Sequence, residues 1–370
     1  MTPGVTRSDD LGDRWVDHAG VEDLRHHGDV DVRPGMLDFA VNVRGRTPSW
    51  IRDILRDRID DLSVYPTPDD EQAAVDAIAV AHGRDADEIA VLAGAAEGFA
   101  LAAALRPRLA AVIAPSFTEP ERVLRASGVP VTRVVLPPPW HLEDAVVPDD
   151  ADLVVIGNPT NPTSVLHAAD VVAGMCRPGR VVVVDEAFAD VTLAETGSAA
   201  GRSVDGFVDE PESVADRRLP GLVVLRSITK TFAVPGLRAG YVIGDRDVVS
   251  RLVSGRPHWP VGTLQLAVVT AALSERGHAH AREQARAVRV EREAMVDALR
   301  GSGIEVCGDP SASFVLVRDA SAQRRRDHLA AAGIAVRRGD TFPGLGPGHL
   351  RLAVRPPDDV ATLLRAWPLS

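Results

Sequence analysis

The sequence has few cysteines, no long apolar run and no signal segment. The two cysteines in 370 residues, Cys176 and Cys307, cannot build a disulfide framework, and no Cys/His spacing typical of a metal site occurs. No run approaches the ~18 apolar residues of a membrane-spanning helix, and the N-terminus is polar and acidic. These absences predict a cytoplasmic protein with no metal site and no membrane partner.

Basic charge is also in short supply, because the formal net charge is −11. The phosphate backbone of nucleic acids attracts a basic face, so we expect no nucleic-acid partner. The length and an apolar fraction of 45% allow a large core and two domains. We predict an N-terminal arm over residues 1–47, a large domain over 48–275 and a small α/β domain over 276–370. A long helix over 279–299 is expected to bridge the two domains, and the polar residues 199–220 to form a surface insertion.

Apolar strands alternate with helical patterns through the first two-thirds of the chain. Four of these strands are predicted at residues 111–114, 153–156, 181–184 and 222–225. They are apolar throughout, as expected of strands in a sheet that helices cover on both faces. Asn161, Asp185 and Lys230 follow three of them, and ligands bind at the carboxyl ends of parallel strands. We therefore predict an α/β fold with a mostly parallel sheet and a site at the strand exits.

The polar turn after residues 222–225 combines an amine with several phosphate-binding groups. Ser227 and Thr229 precede Lys230, and Arg238 follows eight residues later. An amine can bond covalently to an aldehyde, while hydroxyls and a guanidinium bind a phosphate dianion. This combination predicts an aldehyde cofactor that carries a phosphate.

A glycine turn upstream offers a second place for an anion. Residues 89–92 predict a strand, and Gly94, Ala95 and Ala96 join it to an apolar helix. The start of a helix presents backbone N–H groups and the positive end of the helix dipole. Every α/β crossover needs such a turn, and this one lacks the GxGxxG spacing of a dinucleotide site, so the turn by itself does not identify the anion.

These motifs, in this order, resemble those of the class I/II aminotransferase-like enzymes that use pyridoxal 5'-phosphate (PLP). The matching strings are the glycine turn, NPTNPT, DEAF, SITKTFAVPGLR and RLAVR. The resemblance implies the aspartate-aminotransferase-like fold (fold type I), PLP as the cofactor, and a homodimer with active sites at the interface. It also implies that Lys230 is the catalytic lysine.

The resemblance assigns the other cofactor contacts as well. A carboxylate at the end of an apolar strand is costly unless it is paired, and Asp185 is expected to keep the ring nitrogen protonated. Asn161 is expected to bind the ring oxygen, and Phe117 to stack on the ring where tyrosine is common. The family often has a second tyrosine that donates a hydrogen bond to the ring oxygen, and Phe188 stands at that position in this sequence. The expected phosphate contacts within one subunit are Gly94, Ala95, Ala96, Ser227, Thr229 and Arg238. The partner subunit is expected to add Tyr65.

Substrate contacts follow from the same resemblance. Arg351, in the RLAVR strand, is expected to bind the substrate α-carboxylate, because an arginine fork matches a carboxylate. Arg337 is expected to be a second substrate arginine. His27 and Asn42 lie in the strings HHGD and LDF-x-x-N, which are similar to the opening of threonine-phosphate decarboxylases of cobalamin synthesis.

Two reactions remain open. The leading prediction is decarboxylation of L-threonine O-3-phosphate to aminopropanol phosphate, from HHGD, LDF-x-x-N, DEAF and the lysine and RLAVR motifs. The alternative is a histidinol-phosphate aminotransferase, a sister family with the same cofactor residues, in which Ala-Gly more often replaces Pro235-Gly236. Both predict a small phosphorylated substrate. A non-catalytic PLP-binding regulator is less favoured, because no helix-turn-helix pattern precedes the site.

Overall fold

The computed structural model describes residues 23–26, 28–192 and 210–368. Residues 199–209 of the predicted insertion lie outside this range, as does His27. The strands are β1 (Leu37–Asp38), β2 (Ile89–Leu92), β3 (Ala110–Ala114), β4 (Val131–Val135), β5 (Leu153–Gly157), β6 (Val181–Asp185), β7 (Leu222–Ser227), β8 (Gly240–Gly244), β9 (Glu305–Val306), β10 (Phe314–Arg318), β11 (Ile334–Ala335), β12 (Arg337–Arg338) and β13 (His349–Ala353).

The helices connect and cover these strands. They are α1 (Ser49–Asp57), α2 (Pro68–His82), α3 (Ala95–Ala104), α4 (Glu119–Ala126), α5 (Ala169–Ala173), α6 (Arg246–Val253), α7 (Thr263–Ala272), α8 (Glu275–Gly301), α9 (Ala322–Ala331) and α10 (Pro357–Ala366). Within the described ranges, no helix combines the length and the apolar character needed to cross a membrane. The same ranges contain no group of three or more His, Cys, Asp or Glu side chains suited to a metal ion.

Seven strands form the large sheet in the order β2-β8-β7-β6-β5-β3-β4. The pairs among β3, β4, β5, β6 and β7 are parallel, and only β8 runs against its neighbours. Successive residues of β5 enter different cores, since Leu153 and Val155 pack on one face while Val154 and Ile156 pack on the other. Burial on both faces explains why these strands are apolar throughout. The predicted α/β fold is confirmed.

A second, small sheet has the order β12-β13-β10-β9 and is antiparallel. Beside it, β1 pairs in parallel with β11, so that Leu37 lies opposite Ile334. Phe39 is fully buried in the core of this C-terminal unit. The end of the predicted arm therefore packs with the C-terminal residues, and the three-part division of the chain stays a prediction.

Helix α8 links the two units. Its 27 residues span about 40 Å at ~1.5 Å per residue. In its middle, Val288 packs against Phe188 of the large unit and Phe314 of the small sheet. Towards its end, Met295 and Leu299 enter the core of the C-terminal unit. One continuous helix thus contacts the exit of β6 and the small sheet.

Candidate active site

Three groups of predicted cofactor residues lie at one edge of the large sheet. Asp185 is the last residue of β6 and Ser227 the last residue of β7, and the two strands are parallel. Gly240 pairs with Ser227 on one side and with Leu92, the end of β2, on the other. The sheet register therefore brings the glycine turn, the Asp185 carboxyl and the Lys230 turn to the same edge.

The glycine turn and the lysine turn meet at Arg238. Gly94 has a φ of 83°, and a Cβ at this position would lie only 2.7 Å from Nη2 of Arg238. The hydroxyls of Ser227 and Thr229 are 2.6 Å apart, and α3 begins at Ala95 with its first N–H groups directed out of the helix. A guanidinium, two hydroxyls and a helix N-terminus form a donor set that suits a phosphate dianion.

Asp185 is a half-buried carboxyl group near a cationic amine. Its Oδ1 accepts a hydrogen bond of 3.1 Å from the Ala187 N–H. Burial raises the pKa of Asp185 to about 6, and the charge of Lys230 lowers it in part. A protonated ring nitrogen supplies the cation that such a carboxylate requires, so the site fits PLP.

Asn161 and Arg351 connect the large sheet to the small sheet. Arg351 Nη1 donates a hydrogen bond of 2.8 Å to Asn161 Oδ1, and Nη2 donates to the Ala40 carbonyl. The Arg351 guanidinium lies 5.4 Å from the centroid of the Phe314 ring. Burial lowers the pKa of Arg351 to about 9, and its buried Nε has no hydrogen-bond partner among the described residues.

Arg337 lies beside Arg351, because β12 and β13 pair these two residues directly. Arg337 Nη2 donates a hydrogen bond of 2.7 Å to the His26 carbonyl, and the guanidinium lies 4.8 Å from the centroid of the Phe342 ring. Burial lowers the pKa of Arg337 to about 10. Arg337 Nη1 and Asn42 Oδ1 are buried without partners in the part of the chain that the structure describes. Two buried cations with open donors suit an anionic ligand.

Three aromatic side chains that the sequence analysis named pack against other aromatic rings. Tyr65 is 69% exposed and stacks on Trp259 with ring centroids 4.1 Å apart. Phe117 is half-buried and packs at a tilt against Phe99. Phe188, where the family often has tyrosine, is buried with its ring edge-on to Phe314 at 5.0 Å. The Phe188 ring is thus held by apolar packing.

The sequence did not single out the residues that hold the lysine turn. Thr231 Oγ1 donates a short hydrogen bond to Asp190 Oδ2, and His280 Nε2 lies 3.3 Å from the Thr231 carbonyl oxygen. Thr47 Oγ1 donates a hydrogen bond of 2.7 Å to the Ala233 carbonyl oxygen. The available signal was Asp190 itself, a third carboxyl group after Asp185 and Glu186 in the string DEAFAD.

Comparison with known proteins agrees with this geometry. The family model Aminotransferase class I and II matches residues 35–366. A protein from Mycobacterium tuberculosis named histidinol-phosphate aminotransferase is 50% identical over 342 residues, which are 92% of this chain and 90% of that protein. A threonine-phosphate decarboxylase from Salmonella typhimurium is 29% identical over 336 residues, or 86% of this chain and 87% of that one.

The solved structures point the same way. The crystal structure of the histidinol-phosphate aminotransferase from Clostridium acetobutylicum has a TM-score of 0.78 and 25% identity, and covers 90% of this chain and 98% of that chain. The family model spans most of the described residues, including both sheets. The chain therefore belongs to the class I and II aminotransferase family and is a PLP-dependent enzyme of fold type I.

Proposed function

We propose that the chain is an aminotransferase that moves an amino group between histidinol phosphate and 2-oxoglutarate. The observation that carries the proposal is 50% identity, over 92% of the chain, to a relative named histidinol-phosphate aminotransferase. The relative named threonine-phosphate decarboxylase is only 29% identical. The two predictions from sequence therefore change order, and the alternative becomes the leading one.

The proposed cofactor contacts follow the geometry of the strand exits. Lys230 bonds to PLP, Asp185 keeps the ring nitrogen protonated, and Asn161 binds the ring oxygen. Phe117 covers the ring face. The phosphate is held by Gly94, Ala95, Ala96, Ser227, Thr229 and Arg238. Bound PLP supplies an electron sink that weakens the bonds of the amine-bearing carbon. Once the substrate amine has displaced it from PLP, Lys230 Nζ would accept the proton from the amine-bearing carbon.

The two arginines of the small sheet are proposed to bind the substrates. Arg351 and Arg337 each have a buried nitrogen without a hydrogen-bond partner among the described residues. A dicarboxylate acceptor and a phosphorylated amine both present oxygens that guanidinium groups bind well. We assign the α-carboxylate of the acid to Arg351 and the second anionic group of either substrate to Arg337, with Asn42 and His27 as further contacts.

Decarboxylation of threonine phosphate remains a second candidate because of the arginine pair. Arg337 and Arg351 are direct cross-strand neighbours, so one small molecule with a carboxylate and a phosphate could engage both. The bond that breaks is the one perpendicular to the cofactor ring. If the arginines turn the carboxylate into that position, CO2 leaves. If they turn the hydrogen there, the amine is transferred.

A second copy of the chain is the proposed partner. Large apolar side chains are exposed at Ile59, Leu62, Val64, Tyr65 and Trp259, which we call the apolar patch. The first four lie in one short segment, and Trp259 stacks on Tyr65. Exposed apolar clusters of this kind mark interaction sites. We propose a homodimer in which Tyr65 contacts the cofactor phosphate of the partner subunit.

Product analysis distinguishes the two reactions. The PLP-loaded protein is incubated either with histidinol phosphate plus 2-oxoglutarate or with L-threonine O-3-phosphate, and glutamate, CO2 and aminopropanol phosphate are measured. The expected result is glutamate formation that is lost in Lys230→Ala. Lysine-dependent CO2 and aminopropanol phosphate without glutamate would establish the decarboxylase instead. Turnover of neither substrate by protein that binds PLP would refute both substrate assignments.

A further inference from the structure

Asp190 and Thr231 join two neighbouring strand exits immediately beside Lys230. Asp190 lies in the short 3-10 helix Ala189–Val191 that follows β6, and Thr231 is the residue after the lysine at the exit of β7. The Thr231 hydroxyl donates its hydrogen bond to Asp190 Oδ2, and the Thr231 side chain is buried. The segment that follows Asp185 therefore supplies the group that holds the lysine turn.

The backbone of Thr231 has a contact of its own. His280 Nε2 on α8 lies 3.3 Å from the Thr231 carbonyl oxygen. The His280 ring packs against Phe232 at 5.2 Å and Trp50 at 6.3 Å between centroids, so its position is fixed by aromatic neighbours. The residue next to Lys230 thus has both its hydroxyl and its carbonyl constrained.

Asp190 occupies a position that is costly for a carboxyl group. Its Oδ1 is buried with no hydrogen-bond partner within residues 23–26, 28–192 and 210–368. The nearby cation, Arg226, is already engaged by Glu186 at 3.0 Å and by Glu210 at 2.5 Å. Burial raises the pKa of Asp190 to about 6. Asp190 as a whole is half-buried, and a carboxyl group with one oxygen shut away from water and one hydroxyl contact contributes little stability, which favours a functional role.

We propose that Asp190 is a positioning residue for Lys230. By holding Thr231, it fixes the path of the backbone after β7 and hence the direction of the Lys230 side chain towards Asp185. Covalent chemistry depends on such alignment, because a displacement of about 1 Å can cost about a hundredfold in rate. The inference rests on the proposed role of Lys230 as the cofactor-binding residue.

The chain offers a clean readout, because Lys230 is its only lysine. A lysine adduct formed with PLP and trapped by borohydride therefore reports on this residue alone, without substrate or turnover. The rate of trapping, and the pH at which the absorbance of the lysine-bound cofactor changes, measure how well the amine is aligned. Both are compared for the wild type, Thr231→Val, Thr231→Ser, Asp190→Ala and Asp190→Asn.

A matched control lies in the same segment. Thr192 is buried, and its hydroxyl donates a hydrogen bond of 2.6 Å to the Ala189 carbonyl oxygen, which is not part of the lysine turn. We expect Thr231→Val and Asp190→Ala to slow adduct formation about tenfold and to shift the absorbance titration. Thr231→Ser and Asp190→Asn keep a donor and an acceptor, and should restore both values. Thr192→Val should lower thermal stability without changing either value.

The outcomes separate this inference from the proposed function. Wild-type trapping kinetics and titration in folded Thr231→Val or Asp190→Ala, or equal losses in Thr192→Val, would overturn the positioning role while leaving Lys230 as the cofactor residue. A wild-type protein that forms no Lys230 adduct would overturn the cofactor role of Lys230 and the inference with it. If Thr231→Val does not fold, Asp190→Ala and Asp190→Asn give the same comparison.

Discussion

Arg351 donates a 2.8 Å hydrogen bond to Asn161, across the boundary between the small sheet and the large sheet. Asn161 is the proposed partner of the cofactor ring oxygen, and Arg351 is the proposed partner of the substrate carboxylate. The two assignments therefore share one contact. On these assignments, a ligand bound to Arg351 would also affect the residue proposed to hold the cofactor ring.

Replacing Arg351 tests the assignment of the carboxylate. For Arg351→Gln we expect kcat/KM for the acidic acceptor to fall about a hundredfold, roughly 3 kcal/mol, because a buried charge-assisted contact is lost. Steady-state kinetics with each substrate varied in turn gives the value. Arg318→Gln is the control, since Arg318 lies on β10 with an exposed side chain and a 3.8 Å ion pair to Glu305. An unchanged kcat/KM for the acceptor in Arg351→Gln would contradict the assignment.

Replacing Gly94 tests the phosphate site. In Gly94→Ala the new Cβ would lie 2.7 Å from Nη2 of Arg238, so this guanidinium has to move. We expect PLP affinity to fall about tenfold, because a charge-assisted phosphate contact is displaced. Equilibrium titration with PLP gives the dissociation constant.

Gly83→Ala is the control for backbone strain at Gly94. Gly83 also has a positive φ, and no atom of the described residues lies within 4 Å of the point that a Cβ would occupy there. Gly83→Ala should lose about 1 to 2 kcal/mol of stability, because Gly83 is left-handed helical at φ 60° and ψ 39°. Gly94→Ala should lose about 1 to 3 kcal/mol, because Gly94 is at φ 83° and ψ 155°. Equal PLP affinities in the two variants would argue against Arg238 as a phosphate ligand.

The cofactor-free protein should show the cost of burying Asp185. Burial raises the pKa of this carboxyl group from 3.8 to about 6, so the folded chain keeps the proton at pH values where the unfolded chain has lost it. The contribution of Asp185 to the free energy of unfolding is therefore complete below about pH 4 and lost as the pH rises to about 6. The loss is roughly 3 kcal/mol, as an order of magnitude.

Urea unfolding of wild type and Asp185→Asn between pH 4.5 and 7.5 measures this loss. The variant cannot ionise at this position, so its stability relative to the wild type should increase with pH. With PLP bound the difference should reverse, because the wild-type carboxylate then has a ring cation as its partner. Parallel stability curves for the two cofactor-free proteins would show that Asp185 does not carry the pH dependence.

A charge in the apolar patch should disrupt the proposed dimer. Val64 is 62% exposed in the single chain, beside Tyr65. We expect Val64→Glu to yield monomers and to weaken PLP binding, because a buried charge at an interface is costly and Tyr65 is withdrawn from the partner subunit. Val146→Glu is the control, since Val146 is 85% exposed outside the patch. Sedimentation velocity decides, and a dimeric Val64→Glu would place any interface elsewhere.

The strands of the large sheet could be predicted because each is a short apolar run with a polar exit. The prediction for residues 181–184 differs from β6, Val181–Asp185, by a single residue. The site residues followed from the same pattern, since parallel strands bring their carboxyl ends to one edge. A count of lysines would have strengthened the assignment of Lys230 as the cofactor lysine, because the sequence contains no other lysine.

Contacts between distant segments could not be read from local patterns. The Asp190–Thr231 bond depends on which strands are neighbours, and β1 is a two-residue strand with no periodicity of its own. The choice between reactions was uncertain for a similar reason. Both families share the cofactor residues. Phe188, part of the DEAF string that favoured the decarboxylase, packs against Phe314 and so says nothing about the substrate.

The pairing of β1 with β11 has a consequence for how the protein is made. Leu37 leaves the ribosome roughly 300 residues before its partner Ile334. At ~5–20 residues per second, Leu37 is synthesised roughly 15 s to a minute before its strand partner Ile334. Ala40, whose carbonyl oxygen accepts a hydrogen bond from Arg351, is synthesised equally early. The large sheet can therefore form during synthesis, whereas the substrate side of the active site is assembled only when translation is almost complete.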